Sequence, residues 1–223
     1  MRHAPRGRVP RLHVVTDDAV LADPAFPSRA RRLLVQGGAG LALHVRGPRT
    51  PGGTLLRLAA PLAAAAAEAG ALLVVNDRVD VALASGAAGV HLGRRSLPVA
   101  EAKRLLPSGV LVGASVHGAG EAAQAQACGA DWAFVGSVWA TPSHPDVAGG
   151  GPALLRAAAE AAPRVPLLAI GGVTPARVGE ALRAGAHGVA VIRGIWDAAD
   201  LEAALGDYQD RLAARGGHPP EET

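Results

Sequence analysis

Polar side chains able to transfer a proton or bind an anion follow several short apolar runs in this chain. Three such segments are His44-Val45-Arg46, Asn76-Asp77 and Ser115-Val116-His117. A histidine accepts and returns protons near neutral pH, an arginine binds carboxylates and phosphates, and an aspartate is a ligand for Mg²⁺. These residue types therefore favour proton transfer or metal-assisted chemistry on an anionic substrate.

Glycine-rich segments suggest where a phosphate group would bind. Gly171-Gly172-Val173-Thr174 follows one apolar run, and Arg193-Gly194 follows the next. Glycines at the start of a helix leave backbone N–H groups free for an anion. We expect the amides of Gly171, Gly172 and Gly194 to bind phosphate, with Arg193 as a charge partner.

The elements that position these residues are indicated by a repeat. Gly-Ala recurs at 38–39, 86–87, 129–130 and 185–186, each time before an apolar run and, except at the first copy, after an Ala-rich stretch. A glycine just past a helix ends it, and an apolar run without polar alternation is typical of a buried parallel strand. The spacing marks every second strand of a long series and predicts an α/β fold, a (β/α)8 TIM barrel. Function is then expected on the loops that follow the strands.

Composition narrows the class of protein. With 223 residues, we expect one barrel domain at 11–214, a disordered basic N-terminus at 1–10 and a disordered tail at 215–223. A net charge of +3 and an aromatic content of 3% argue against a nucleic-acid partner. No apolar run is long enough for a membrane span, so we expect a soluble cytoplasmic protein. The sequence leaves a homo-oligomer open.

Two single residues exclude other chemistry. Lys103 is the only lysine and falls on a predicted helix, which argues against a Schiff-base aldolase. Cys128 is the only cysteine, so no internal disulfide is expected.

Structural explanations remain open for two of the candidate site segments. Asn76-Asp77 could cap the following helix, and His91 could be a core histidine.

Several motifs together carry a family resemblance, and they occur in the order Asn76-Asp77-Arg78-Val79-Asp80-Val81-Ala82-Leu83, Gly89-Val90-His91-Leu92-Gly93, Ser115-Val116-His117, Gly129-Ala130-Asp131 and Ala169-Ile170-Gly171-Gly172. They resemble the thiamine phosphate synthase/TenI superfamily over about residues 12–208. The resemblance implies a TIM barrel that handles a phosphorylated thiazole. It also implies one of two activities: coupling of hydroxymethylpyrimidine pyrophosphate to thiazole phosphate with Mg²⁺, or a proton shift on carboxythiazole phosphate.

The chain departs from the synthase pattern in the part that implies pyrophosphate binding. Where synthases carry Gln-x-Arg-x-Lys, this chain has His44, Arg46 and Pro48. The first of two Mg²⁺ carboxylates matches Asp77, but the second falls on Ser96, which brings no negative charge. These losses indicate that the pyrophosphate half of a synthase site is degraded.

The longest predicted loop, 137–151, adds a further departure. Its Thr141 and Ser143 match the hydroxyls of a family Thr-x-Thr-Lys motif, but His144 stands where the lysine would be. We expect this loop to cover the site, with all three residues contacting substrate together with Asn76 and Ser115.

The resemblance therefore favours a TenI-type thiazole tautomerase that needs no cofactor. In this interpretation His117 moves the proton, with His44 as the competing candidate, and Arg46 and His44 position the substrate carboxylate. The first alternative is a thiamine phosphate synthase that holds Mg²⁺ through Asp77 alone. The second is a non-catalytic regulator that binds thiazole phosphate.

Overall fold

Eight parallel strands form the centre of the molecule. The computed structural model describes residues 9–141 and 149–214. The strands pair in sequence order, and the last pairs with the first, so the sheet closes on itself. They are β1 (Leu12–Val15), β2 (Leu41–Val45), β3 (Leu72–Asn76), β4 (Gly89–Leu92), β5 (Leu111–Val116), β6 (Trp132–Val135), β7 (Leu167–Ile170) and β8 (Gly188–Val191). The predicted (β/α)8 barrel is confirmed.

Helices connect the strands and cover the outside of the barrel. They are α1 (Asp18–Ala22), α2 (Phe26–Gly37), α3 (Gly52–Ala69), α4 (Val79–Ser85), α5 (Val99–Leu105), α6 (Ala119–Ala127), α7 (Gly151–Ala161), α8 (Pro175–Arg183), α9 (Arg193–Trp196) and α10 (Leu201–Ala213). The repeated glycines end helices as expected, since Gly86, Gly129 and Gly185 have φ of 71°, 82° and 97°. Short helix α1 was not predicted; Asp17 caps it by accepting a hydrogen bond from Val20 N at 2.9 Å.

Two layers of side chains bury the strands on both faces. Leucine, valine and alanine side chains fill the space between strands and helices. Inside the barrel, Trp132 and Phe134 pack among smaller apolar residues and contact the rings of His13, His44 and His91. The barrel interior is therefore a mixture of aromatic rings and buried imidazoles.

The predicted disordered ends fall mostly on residues 1–8 and 215–223, which lie outside the described residues. Val9 and Pro10 are described, and both are buried. The Val9 carbonyl accepts a hydrogen bond from His187 Nε2 at 3.0 Å, and the Pro10 carbonyl accepts one from His13 Nε2 at 3.1 Å. For these two residues the prediction of disorder is wrong, because they close the N-terminal end of the barrel. Within the described residues, no helix has the length and apolar character needed to cross a membrane.

Candidate active site

Two adjoining cavities open at the C-terminal ends of the strands. The smaller has a volume of about 450 Å³ and the larger about 1020 Å³. Both are lined by the same group of mostly polar residues, namely Arg46, Asn76, His91, Gly93, Arg94 and Ser115. Because they share this wall, the two cavities are lobes of one mouth, at the end of the barrel where the sequence places the site.

The smaller cavity, called the cationic lobe below, is lined by four arginines: Arg46, Arg78, Arg94 and Arg95. Asp77 is the one carboxylate among its described lining residues. Arg78 is partly neutralised, since its Nε donates to Asp80 Oδ1 at 2.8 Å outside the lobe. The lobe therefore carries a clear excess of positive charge and is suited to a polyanion.

Asp77 has an unusual backbone that directs it across the cationic lobe. Its φ is 64°, a left-handed conformation that costs free energy in a residue with a side chain, and its amide is held by the His91 carbonyl at 2.8 Å. The carboxylate Oδ1 accepts hydrogen bonds from Gly93 N at 3.0 Å and from the Ser96 hydroxyl. Helix α4 begins instead after Arg78, without a side-chain cap. The capping explanation for Asn76-Asp77 is therefore wrong.

The residues around Asp77 do not form a two-carboxylate Mg²⁺ site. Ser96 stands where the resemblance implies the second carboxylate, and its hydroxyl is bonded to Asp77. No group of three histidine, cysteine or acidic side chains able to hold a metal ion occurs in the described ranges. Mg²⁺ is usually held by one or two carboxylates together with substrate phosphates, and Asp77 is the single carboxylate that the described lining of this lobe offers.

The larger cavity, called the glycine lobe, is lined by the segments predicted to bind phosphate. Gly171, Gly172, Arg193 and Gly194 all line it. Gly171 and Gly172 have φ of 93° and 63°, and neither amide donates a hydrogen bond to a described residue. Those two N–H groups are therefore available to an anion, while the walls of this lobe include the apolar side chains of Val15, Phe134, Ile170, Val173 and Val191.

The glycine segment is supported from behind by the loop after β6. Val138 N donates to the Ile170 carbonyl at 2.9 Å, and Trp139 N donates to the Gly171 carbonyl at 3.0 Å. Arg177, which sequence reasoning missed, donates to the Gly172 carbonyl at 2.7 Å and stacks 5.2 Å from the centre of the Trp139 ring. These contacts engage the carbonyls of the segment, whereas no described residue accepts a hydrogen bond from the amides of Gly171 and Gly172.

His117 lies at the rim of the glycine lobe with its side chain 46% exposed. Its backbone N and its Nδ1 lie 2.8 and 3.1 Å from Glu121 Oε2. Burial raises the pKa of Glu121, but the hydrogen bonds from His117 and the charge of Arg94 hold that pKa below its usual value. His117 is therefore placed at the mouth and is bound to a carboxylate.

His91 lies deeper and belongs to both lobes. Its side chain is buried, its Nε2 lies 2.9 Å from Ser115 Oγ, and its Nδ1 has no partner among the described residues. Burial and the nearby charges of His44 and Arg46 keep the pKa of His91 well below its ordinary value. His91 is therefore buried, as expected for a core histidine. It also forms part of the wall that the two lobes share.

His44 does not reach the mouth, so its predicted contact with substrate is wrong. The side chain is fully buried and lines neither lobe. Its Nε2 lies 2.8 Å from His13 Nδ1, and its Nδ1 lies 2.8 Å from Asn76 Oδ1. The side chains of His44 and Arg46 lie on the same face of the chain, but their positions differ by two residues, which is about 6.6 Å along the strand. Arg46 therefore reaches the lobes, whereas His44 lies one layer below and contacts Asn76.

Other predicted residues divide between the lobes and the undescribed loop. Asn76 and Ser115 line both lobes, and Thr141 lines the glycine lobe. Ser143 and His144 lie outside the described residues. Sequence reasoning missed Arg94 and Arg95, although two adjacent arginines directly after the Val-His-Leu-Gly motif were the signal that could have identified them.

Comparisons with known proteins identify the family of this chain. The family model described as thiamine monophosphate synthase matches residues 12–195. A thiamine-phosphate synthase of Methanoculleus marisnigri is 44% identical over 91% of this chain and 95% of the relative, and one of Methanoregula boonei is 39% identical over 90% and 92%. A solved thiamine phosphate pyrophosphorylase of Pyrococcus furiosus has a TM-score of 0.81 and 32% identity, covering 95% of this chain and 99% of that one. The chain belongs to the thiamine monophosphate synthase family, whose place is in thiamine biosynthesis.

Proposed function

We propose that the protein is a thiamine-phosphate synthase, which couples hydroxymethylpyrimidine pyrophosphate to thiazole phosphate. The observation that carries this proposal is the mouth with two anion-binding ends: the cationic lobe on one side and the free amides of Gly171 and Gly172 on the other. A coupling reaction needs a place for each of two phosphorylated substrates. The shared wall between the lobes lets their rings meet.

The tautomerase interpretation explains less of the site. Isomerisation involves one phosphorylated ring, and the glycine lobe alone would accommodate it. Four arginines in the second lobe would then have no anion to bind. The relatives named above are synthases, which also supports the coupling reaction over the proton shift.

The proposed reaction exchanges one bond for another. The bond between the pyrimidine methylene carbon and a pyrophosphate oxygen breaks, and the thiazole nitrogen bonds to that carbon. The oxygen leaves with the bonding electrons, so negative charge grows on the pyrophosphate. Arg46 and the other arginines of the cationic lobe stabilise that charge, and Gly171 and Gly172 hold the thiazole phosphate.

His91 and Ser115 belong to the wall that both lobes share, and Phe134 lines the glycine lobe. His91 is kept neutral by burial, because its pKa lies well below the ordinary value. A neutral imidazole beside the reacting methylene carbon adds no charge that would compete with the arginines for pyrophosphate. We expect His91, Ser115 and Phe134 to orient the two rings.

The test is two incubations of the purified protein, one with thiazole phosphate in the presence and absence of hydroxymethylpyrimidine pyrophosphate, and one with carboxythiazole phosphate alone, each followed by chromatography of the products. We expect thiamine phosphate only when both substrates are present. Isomerised thiazole without any coupled product would refute the proposal in favour of a tautomerase. Tight thiazole phosphate binding without either product would refute it in favour of a silent regulator.

A further inference from the structure

We propose that Arg94 and Arg95 bind the pyrophosphate group directly, beside Ser96, the position where the family resemblance implies a second metal-binding carboxylate. This inference rests on the proposed function for the identity of the anion. It adds how the anion is held: by side-chain cations of the β4–α5 loop, with little contribution from Mg²⁺.

The loop that carries the two arginines is a closed turn. Ser96 N donates to the Gly93 carbonyl at 3.0 Å, and Gly93 N lies 3.0 Å from both Ser96 Oγ and Asp77 Oδ1. The Ser96 hydroxyl completes the turn by bonding the same carboxylate oxygen. Asp77 therefore acts as a clasp for this loop, and the turn presents the two residues at its tip, Arg94 and Arg95, to the cationic lobe.

Neither arginine is neutralised by a salt bridge in the described structure, although the charge of Arg94 also contributes to the lowered pKa of Glu121. Within residues 9–141 and 149–214, neither Arg94 nor Arg95 forms an ion pair, and both side chains are exposed at the mouth. Arg94 lines both lobes and Arg95 lines the cationic lobe. Arginine binds phosphate oxygens in bidentate fashion, so two exposed guanidinium groups on one turn are suited to a pyrophosphate group.

The same turn argues against a metal as the main source of charge. An aspartate at position 96 would add a negative charge and a Mg²⁺ ligand, whereas serine adds neither. The remaining carboxylate, Asp77, already accepts two hydrogen bonds at Oδ1. With a hydroxyl where the resemblance implies a carboxylate, and with two arginines beside it, the lobe favours an anion over a cation.

A binding measurement with inorganic pyrophosphate tests the proposal without requiring catalysis. Isothermal titration calorimetry in buffer containing a chelator should show saturable binding to the wild-type protein. The double variant Arg94→Ala/Arg95→Ala should weaken that binding by about 10- to 100-fold, since charge-assisted hydrogen bonds are lost. Arg57→Ala is the matched control, because Arg57 is an exposed arginine of α3 that bonds Thr54 and lines neither lobe. It should bind pyrophosphate like the wild type.

The variant Ser96→Asp provides the complementary test. Adding Mg²⁺ should change the pyrophosphate affinity of the wild type by less than about 3-fold, but should strengthen that of Ser96→Asp by about 10-fold or more. Without Mg²⁺, Ser96→Asp should bind more weakly than wild type, because the new carboxylate repels the anion.

Three results would overturn the inference: wild-type binding that requires Mg²⁺, unchanged affinity in the double alanine variant, or an equal loss in Arg57→Ala. Failure of the proposed function gives a different pattern. If pyrophosphate binds through Arg94 and Arg95 but no thiamine phosphate forms, the anion site stands and the synthase proposal falls. If coupling occurs but pyrophosphate binds only with Mg²⁺, the synthase proposal stands and this inference falls.

Discussion

Replacing His44 by glutamine should make the protein less sensitive to acid. His44 is fully buried, and burial lowers its pKa from 6.5 to about 4, although the Asn76 hydrogen bond opposes the shift. In the unfolded chain the imidazole titrates near 6.5, so between these values the unfolded state binds more protons than the folded state. The free energy of unfolding that depends on a neutral His44 is therefore present in full above pH 6.5 and is lost as the pH falls towards 4.

The magnitude follows from the size of the shift. A displacement from 6.5 to about 4 corresponds to about 3 kcal/mol of unfolding free energy once the pH is below both values, and to about 2 kcal/mol at pH 5. Because glutamine does not titrate, His44→Gln removes this pH-dependent part of the unfolding free energy. His13 and His91, whose pKa values burial also holds well below normal, keep part of the acid sensitivity in the variant.

Urea unfolding at pH 7.5 and pH 5.0 measures the effect. The wild type should lose about 2 kcal/mol more than His44→Gln between the two pH values. At pH 7.5 the variant should already be less stable, because glutamine cannot satisfy both His13 and Asn76. Val74→Ala, a fully buried position in the same barrel interior, is the control and should lower stability equally at both pH values. Equal acid losses in His44→Gln and the wild type would refute the assignment of a buried neutral imidazole.

Three further predictions concern other parts of the barrel. Gly172→Val should abolish thiazole phosphate binding in calorimetry while the far-UV circular dichroism stays unchanged; retained binding would contradict an amide cradle at this position. His117→Gln should keep the coupling rate within about 10-fold, since the proposed displacement needs no proton transfer, and a loss above about 100-fold would indicate acid–base catalysis. Asp131→Ala should lower the unfolding free energy by about 3–5 kcal/mol in urea titrations, because the buried carboxylate accepts from Lys103 Nζ at 2.8 Å and Val112 N at 2.7 Å; a loss below about 1 kcal/mol would contradict that role.

The fold was accessible from the sequence because its signals are local. A glycine that ends a helix and an apolar run that follows it are each readable within a few residues, and Gly86, Gly129 and Gly185 adopt the conformation that this pattern requires. The order of the strands then follows from the repeat. Helix α1 was missed because five residues carry too little periodicity to indicate a helix.

The depth of a side chain in the barrel was less accessible. Alternation along a strand correctly places His44 and Arg46 on one face, but it does not say which layer of the barrel each residue occupies. The layer depends on the tilt and stagger of all eight strands, which are properties of the closed sheet. His44 therefore looked like a substrate ligand in the sequence, whereas in the structure it lies behind Asn76 and binds it.

The charge of a binding site is likewise a property of the whole lobe. A comparison with the synthase pattern at single positions therefore indicated a degraded pyrophosphate site. The absence of a lysine at Pro48 and of a carboxylate at Ser96 is real, but several loops converge at the barrel mouth, and a phosphate responds to the summed field of all of them. Arg94 and Arg95 enter that sum from the neighbouring positions of the β4–α5 loop. Cations on one loop can bind an anion even where a lysine and a carboxylate are absent from the familiar positions on other loops, so the electrostatics of the assembled mouth are the better guide to its substrate.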